Sequence, residues 1–162
     1  MLLALASLVA EPALAKPLRC DWKGEAVDAF TGKDSRTLEV LYYGNYQIVL
    51  HAPHDGVVEV EVAFSEPGMT NNTVTKPVMF LLADASVIEL PLQPGAPVHQ
   101  ASSYGVATRH NGKGTLPVDT FRKIAEIGVA KIRFPVPSKE YTLEMDKGDV
   151  KEFTNFALCL SQ

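Results

Sequence analysis

The sequence contains little cysteine and no concentration of positive charge. Its two cysteines, Cys20 and Cys159, lie too far apart to form a Cys-x-x-Cys pair. Without that pair, neither a thioredoxin-type redox site nor a zinc ribbon is indicated. The 15 lysine and arginine residues against 19 aspartate and glutamate residues give a formal net charge of −4. Because no basic cluster provides an electrostatic footprint for nucleic acid, we expect no DNA or RNA partner.

Familiar catalytic motifs are also missing. No Gly-x-Ser-x-Gly segment surrounds Ser102 or Ser103, so a nucleophilic serine of the α/β-hydrolase type is not indicated. Gly112 and Gly114 flank a lysine, but they do not form the longer glycine-rich loop that binds nucleotide phosphates. The sequence therefore gives no positive indication of catalysis, and we expect no cofactor.

The first fifteen residues predict an export signal. Residues 2–10 form an apolar run, and Ala13-Leu14-Ala15 has the small-x-small form of a signal peptidase site. The run is shorter than the about 20 residues that a membrane-spanning helix needs. We expect a signal peptide over residues 1–15, a single mature domain over residues 16–162 with no transmembrane segment, and a periplasmic or secreted location. A buried N-terminal helix is the alternative for residues 1–15.

The two cysteines lie near opposite ends of the predicted mature domain. Exported proteins meet oxidising conditions, in which an even number of cysteines favours pairing. The two ends of a compact domain often lie close together. The sequence therefore predicts a disulfide between Cys20 and Cys159, with two buried free thiols as the alternative.

The pattern of apolar residues predicts a sheet of antiparallel strands. Residues 37–64 contain three runs rich in β-branched and aromatic residues, separated by Gly44-Asn45 and by residues 53–56, as in a β-meander. In the third run, valines at positions 58, 60 and 62 alternate with Glu59 and Glu61, which indicates one buried face and one solvated face. Residues 77–82 with 86–92, and residues 130–136 with 141–145, predict two further hairpins.

Two helices and several loops complete the predicted fold. Residues 65–76 and 93–97 predict loops, and residues 98–109 predict a weak strand that residues 110–114 close as a turn. Apolar spacing predicts a short helix near residues 117–127 and a C-terminal amphipathic helix near residues 146–160, capped by Asp146. The predicted fold class is α+β: an antiparallel β-rich single domain of six to eight strands with these two helices.

His51, His54 and Asp55 are the candidate metal ligands. Two imidazoles and a carboxylate at the end of a hairpin strand match the donors of a catalytic zinc site with an open position for water. The string His51-Ala-Pro-His54-Asp55-Gly also resembles the His-x-Pro-His motif of the N-formylglutamate amidohydrolases. That resemblance spans this one turn, and no functional role is taken from it. The alternative is a strand end followed by a structural turn.

The remaining histidines and a group of tyrosines are weaker candidates. His99 and His110 each occur alone, and we expect both to lie in surface loops. Tyr42, Tyr43 and Tyr46 crowd the first hairpin turn, where large amphipathic rings suit a binding surface for a protein or a glycan. Aromatic packing across the strands, which would only stabilise the sheet, is the alternative.

These observations favour a small exported, non-enzymatic protein with a binding or envelope-associated role and an unidentified protein or small-molecule partner. A metal-dependent hydrolase that uses His51, His54 and Asp55 is the first alternative. A small-molecule carrier, with its sheet folded around an apolar ligand, is the second. Histidine and aspartate side chains that converge in a cleft would favour the hydrolase. An internal cavity would favour the carrier, and an exposed tyrosine patch would favour the binding protein.

Overall fold

The computed structural model describes residues 20–24, 27–42, 45–103 and 105–162, in which ten strands and two helices form an antiparallel α+β domain. The predicted signal peptide, residues 1–15, lies outside the described residues. The strands are β1 Thr37–Tyr42, β2 Tyr46–His51, β3 Val57–Pro67, β4 Val78–Leu82, β5 Val87–Leu90, β6 Gln93–Pro94, β7 Val98–Ser102, β8 Gly105–Pro117, β9 Val129–Phe134 and β10 Tyr141–Glu144. The helices are α1 Val118–Ile127 and α2 Lys147–Leu160. The predicted antiparallel α+β fold class with two helices is confirmed, although ten strands form where six to eight were predicted.

The predicted meander forms the first half of the larger sheet. This first sheet has the order β1-β2-β3-β8-β6, and β7 also pairs with β8. Between β2 and β3 the chain reverses through Asp55 and Gly56, whose φ angles are 49° and 77°. Two consecutive positive φ angles are the geometry of a type I′ turn, which Asp-Gly favours. The predicted turn at residues 53–56 is therefore confirmed.

Strands β3 and β8 are longer than the sequence predicted. Residues 110–114 are not a turn but the middle of β8, and residues 65–67 continue β3 instead of opening a loop. The two strands pair from Val57 with Pro117 to Pro67 with Ala107. On its other side, Gly114 of β8 lets the segment before β6 lie close, because a Cβ atom there would overlap the carbonyl oxygen of Pro91. The glycines in this segment thus permit a close backbone approach within a sheet, where composition alone indicated a turn.

One continuous core fills the space between the two sheets and the helices. The second sheet has the order β10-β9-β4-β5. Phe64 on β3 and Phe134 on β9 have ring centroids 6.3 Å apart, so the two sheets face each other. Phe80 on β4 contacts Phe153 on α2 with a centroid separation of 5.9 Å, so α2 closes the core. Burial of each such ring contributes about 1.5–3 kcal/mol.

The local signals for both helices are confirmed. In α2, the Asp146 carboxylate accepts hydrogen bonds from the backbone N–H groups of Gly148 and Asp149, at 2.7 and 2.9 Å, while Asp149 bonds back to the Asp146 N–H. This capping box fixes where α2 begins. Helix α1 ends at Gly128, whose φ is 84°.

The predicted disulfide joins the two ends of the described domain. Cys20 and Cys159 are bonded, with Cα atoms 5.8 Å apart and a sequence separation of 139 residues. The bridge ties the segment before β1 to the last turn of α2. No helix among the described residues is long and apolar enough to cross a membrane.

Candidate functional site

The outward face of the first sheet carries most of its polar side chains. On β3, Val58, Val60 and Val62 are buried, so the intervening Glu59 and Glu61 point away from the core. The same alternation directs Gln47, Val49 and His51 outward on β2, and Arg109, Asn111 and Lys113 outward on β8. Three adjacent strands therefore present charged and amide groups on one surface.

Four charged or titratable side chains meet at one end of this surface. The His51 Nε2 lies 2.9 Å from a carboxylate oxygen of Glu61 and 3.6 Å from one of Glu59. The Lys113 ammonium contacts both carboxylates, at 2.6 Å from Glu61 and 3.2 Å from Glu59. These hydrogen bonds raise the pKa of Lys113. Partial burial alone would raise the pKa of Glu61, but Lys113 and His51 outweigh it and hold that pKa below its ordinary value.

The three predicted metal ligands do not come together. The His54 Nε2 lies 3.2 Å from a carboxylate oxygen of Asp55, and both side chains are largely exposed in the turn. His51 points along the sheet towards Glu59 and Glu61 instead. In the part of the chain that the structure describes, the group of three potential ligands is His51, Glu59 and Glu61. The set His51, His54 and Asp55 is therefore not supported as a ligand group by this geometry.

A groove of about 480 Å³ runs beside the cluster on the same surface. Its floor includes Val49 and Ala63. Its walls carry the amides Gln47, Gln93 and Asn111, the cations Arg109 and Lys113, and the carboxylate of Glu61, which Lys113 contacts at 2.6 Å. Gly95 lies directly over Asn111 and donates its backbone N–H to the Asn111 carbonyl oxygen at 2.9 Å. The loop after β6 is thereby held against β8 and forms one wall of the groove.

Arg109 is the most distinctive charge in the groove. Its Nη2 donates to the Gln47 Oε1 at 2.6 Å, and the Gln47 Nε2 donates to Glu39 at 2.6 Å. Glu39 in turn accepts a hydrogen bond from the Lys23 ammonium at 2.8 Å. Among the described residues, Arg109 makes no ion pair with a carboxylate, whereas Lys113 makes two. The groove therefore contains one guanidinium that Gln47 orients and that no carboxylate among the described residues contacts.

A second polar arrangement lies inside the core, where the sequence predicted none. His110 is 2% exposed and Glu66 is 4% exposed, and the His110 Nε2 lies 2.8 Å from a Glu66 carboxylate oxygen. The other carboxylate oxygen of Glu66 accepts the backbone N–H of Ser138 at 3.3 Å. Burial alone would raise the pKa of Glu66, but the hydrogen bonds from Ser138 and His110 and the His110 charge lower it. The expectation that His110 lies in a surface loop is wrong, because β8 places it on the buried face opposite Phe64.

The order of these buried groups is not that of a catalytic triad. In a Ser-His-acid triad the histidine lies between the hydroxyl group and the carboxylate, so that it can take the hydroxyl proton. Here the Glu66 carboxylate lies between Ser138 and His110. His99 remains exposed and contacts the Thr108 hydroxyl at 3.1 Å with its Nδ1. The buried pair is therefore interpreted as part of the core.

The tyrosine candidates are only partly described. Tyr46 points inward, stacks on Tyr141 with ring centroids 4.3 Å apart and contacts Phe134 at 4.8 Å. Burial raises the pKa of the Tyr46 hydroxyl, and the neighbouring Tyr141 adds to this shift. The side chains of Tyr42 and Tyr43 lie outside the described residues. Tyr46 thus takes part in aromatic packing between the two sheets.

The groove contains residues that sequence reasoning did not select. Gln47 and Arg109 lie 62 positions apart and meet only through the β2-β3-β8 order of the sheet. Alternation indicated that Glu59 and Glu61 face solvent, but no local signal placed Lys113 beside them. Comparison of the chain with protein-family models, with curated proteins and with solved structures gave no match.

Proposed function

We propose that the chain is a small exported, non-enzymatic binding protein that holds a small anionic molecule in the groove on the outward face of its first sheet. The observation that carries this proposal is Arg109, a guanidinium that Gln47 orients and that no described carboxylate neutralises. A guanidinium presents a planar fork of N–H donors, which matches the oxygens of a carboxylate or a phosphate. An anion placed there would complete the missing ion pair.

The shape and lining of the groove agree with a ligand of this class. A volume of about 480 Å³ falls within the about 300–1,000 Å³ typical of small-molecule sites. The side-chain amides of Gln93 and Asn111 offer both donors and acceptors to polar groups next to the anion. Val49 and Ala63 supply a small apolar floor. These features support a compact polar acid better than a long apolar chain.

The features that predict export also agree with a role as a binding protein. The Cys20–Cys159 disulfide is of the kind that persists in oxidising compartments. Together with the signal sequence predicted over residues 1–15, it favours a periplasmic or secreted binding protein. Expressed from its own start, the protein should leave the cytoplasm and carry Lys16 at its N-terminus. An intact mass that still includes residues 1–15 in a cytoplasmic fraction would contradict this part of the proposal.

The binding role is tested with small acids and one pair of arginine variants. The purified protein is screened by thermal shift with succinate, citrate, inorganic phosphate and glucose 6-phosphate, and with uncharged glucose as the negative control. At least one acid should raise the Tm by stabilising the folded state. Arg109→Gln should abolish that rise, whereas Arg133→Gln, an exposed arginine on the second sheet, should retain it. No response to any acid, or equal loss in both variants, would reject the groove as the binding site.

A further inference from the structure

The cluster at the end of the groove has the composition and spacing of a metal-binding site. His51, Glu59 and Glu61 each offer one ligand atom, and these three atoms all lie within 4.8 Å of one another. Glu59 and Glu61 are two positions apart on β3 and share its outward face, while His51 lies on the neighbouring strand β2. Regular strands, rather than a mobile loop, therefore hold all three donors.

The distances between the donors suit a four-coordinate cation. Zinc binds histidine nitrogen and carboxylate oxygen at about 2.0–2.2 Å, which in a tetrahedron places neighbouring ligand atoms about 3.3–3.5 Å apart. The His51 Nε2 lies 2.9 Å from Glu61 and 3.6 Å from Glu59, on either side of that value. Side-chain rotations that shift these atoms by a few tenths of an ångström would bring the His51–Glu59 and His51–Glu61 separations closer to each other.

Lys113 provides an independent indication that this point attracts a cation. Its ammonium group lies 2.6 Å from Glu61 and 3.2 Å from Glu59, so one positive charge faces two carboxylates. A divalent ion would neutralise both carboxylates and could also bind the imidazole, whereas the ammonium group carries one charge and contacts the two carboxylates. Lys113 is on β8, directly opposite Glu61, and its side chain is more than half exposed. It can therefore move into solvent when another cation binds.

We propose that His51, Glu59 and Glu61 form a binding site for a zinc-like divalent cation, in competition with the ammonium group of Lys113. Three protein ligands leave one position of a tetrahedral ion for water or for a ligand oxygen. The side chains of His51, Glu59 and Glu61 are 29%, 45% and 37% exposed, so a metal ion can enter from solvent. The site differs from the His51, His54 and Asp55 set suggested by the sequence, and it does not depend on Arg109 binding an anion.

Zinc titration of the full chain, stripped of metal with a chelator and followed by calorimetry, tests this site. The unmodified protein should bind one equivalent of zinc. His51→Ala and Glu61→Gln should each weaken binding at least tenfold, because each removes one of three ligands. His54→Ala is the matched control: it removes an equally plausible histidine, bonded to Asp55 at 3.2 Å, that lies outside the proposed site. Its affinity should match that of the unmodified protein.

Lys113→Met distinguishes a cation site from an ordinary surface ion pair. This change keeps all three ligands and removes the competing charge, so zinc affinity should rise severalfold. If Lys113 merely held the ligands in place, the same change would lower the affinity and overturn the proposal. Equal zinc binding by the unmodified protein and His51→Ala would also overturn it, as would an absence of zinc binding. Should a ligand variant fail to fold, the Lys113→Met result still decides, since the variant leaves every ligand and the core unchanged.

Discussion

Replacement of His110 by leucine should destabilise the protein strongly, although leucine fits the apolar surroundings. The imidazole of His110 and the carboxylate of Glu66 are both nearly inaccessible and are joined at 2.8 Å. His110 is one of the two residues that lower the pKa of Glu66. In His110→Leu this interaction is lost, and the carboxylate keeps only the hydrogen bonds from Ser138. The buried carboxylate then loses its 2.8 Å contact with the imidazole, and this effect, not lost volume, dominates the cost.

The expected magnitude follows from the burial of the pair. Removal of a hydrogen-bond partner from a buried carboxylate costs about 3 kcal/mol or more, because the remaining charge is left incompletely hydrogen-bonded. A typical domain unfolds with a free energy of about 5–15 kcal/mol, so the change removes a large share of stability. The double variant Glu66→Leu with His110→Leu should cost less than His110→Leu alone, since no charge remains buried. Its residual cost should be small, because Ser138 is exposed and water can replace the hydrogen bond that its backbone N–H loses.

Urea unfolding, followed by the fluorescence of the single tryptophan, measures these differences. Trp22 packs against the core and should report its loss. His54→Ala serves as the exposed-histidine control and should change the free energy of unfolding by less than about 0.5 kcal/mol. A cost below about 1 kcal/mol for His110→Leu, or a double variant less stable than that single variant, would refute the reasoning about the buried charge.

The same pair makes a prediction about pH. The folded-state pKa of Glu66 lies below its ordinary value of 4.5. A carboxyl group of this kind contributes stability above its unfolded-state pKa, and that contribution is lost as the pH falls through the folded-state pKa. Unmodified protein should therefore lose stability below about pH 4.5 more steeply than the double variant. Parallel curves for the two proteins over that range would contradict an ionised Glu66.

Three further changes test the architecture. Cys159→Ser should lower the free energy of unfolding by about 2–5 kcal/mol, and added reductant should then have no further effect on the Tm. Gly114→Ala should cost about 1–3 kcal/mol by forcing apart two close backbone segments, whereas the exposed neighbour Thr115→Ala should be nearly neutral; equal costs would contradict the close approach. Phe153→Ala should cost about 3–5 kcal/mol and Lys151→Ala less than about 0.5 kcal/mol in urea unfolding, and similar values would mean that the wrong face of α2 is buried.

Features determined by neighbouring residues were predictable from the sequence. The alternation of Val58 and Val60 with Glu59 identified the buried face of β3, because successive strand side chains point in opposite directions. Asp146 and the apolar spacing after it predicted where α2 begins and which face it buries. Both signals depend on a few consecutive residues, so no knowledge of the rest of the chain was needed.

Features that depend on distant pairing were missed. The Pro67-Gly68 signal appeared to end the third strand before Glu66, yet pairing with β8 extends it and buries that carboxylate. The alternation that buries Phe64 also directs Glu66 inward, and this was the one available clue. The partner, His110, lies 44 positions away in a glycine-rich segment that resembled a turn. Local composition cannot show that a long neighbouring strand is present to pair with it.

Only part of the candidate site could be predicted from the sequence, because strand pairing brings its residues together from distant positions. Sequence reasoning selected His51 as a candidate metal ligand, but it grouped His51 with His54 and Asp55, its neighbours in the chain. The structure joins it to Glu59 and Glu61 across the β2–β3 ladder and to Lys113 on the next strand. Arg109 attracted no attention, since a single arginine in a weak strand pattern is ordinary. Its significance arises from the amide and apolar groups that three strands bring around it.

The position of the disulfide also determines how the domain responds to mechanical tension. Within one covalent ring, Cys20 and Cys159 enclose the ten described strands, α1, and α2 except for its last residue, Leu160. Tension applied between the segment before Cys20 and the segment after Cys159 therefore passes through the sulfur–sulfur bond and does not pull the β-ladders apart. Under such tension the oxidised domain should extend by little more than the width of the bridge, whereas the reduced domain should unravel along its whole length.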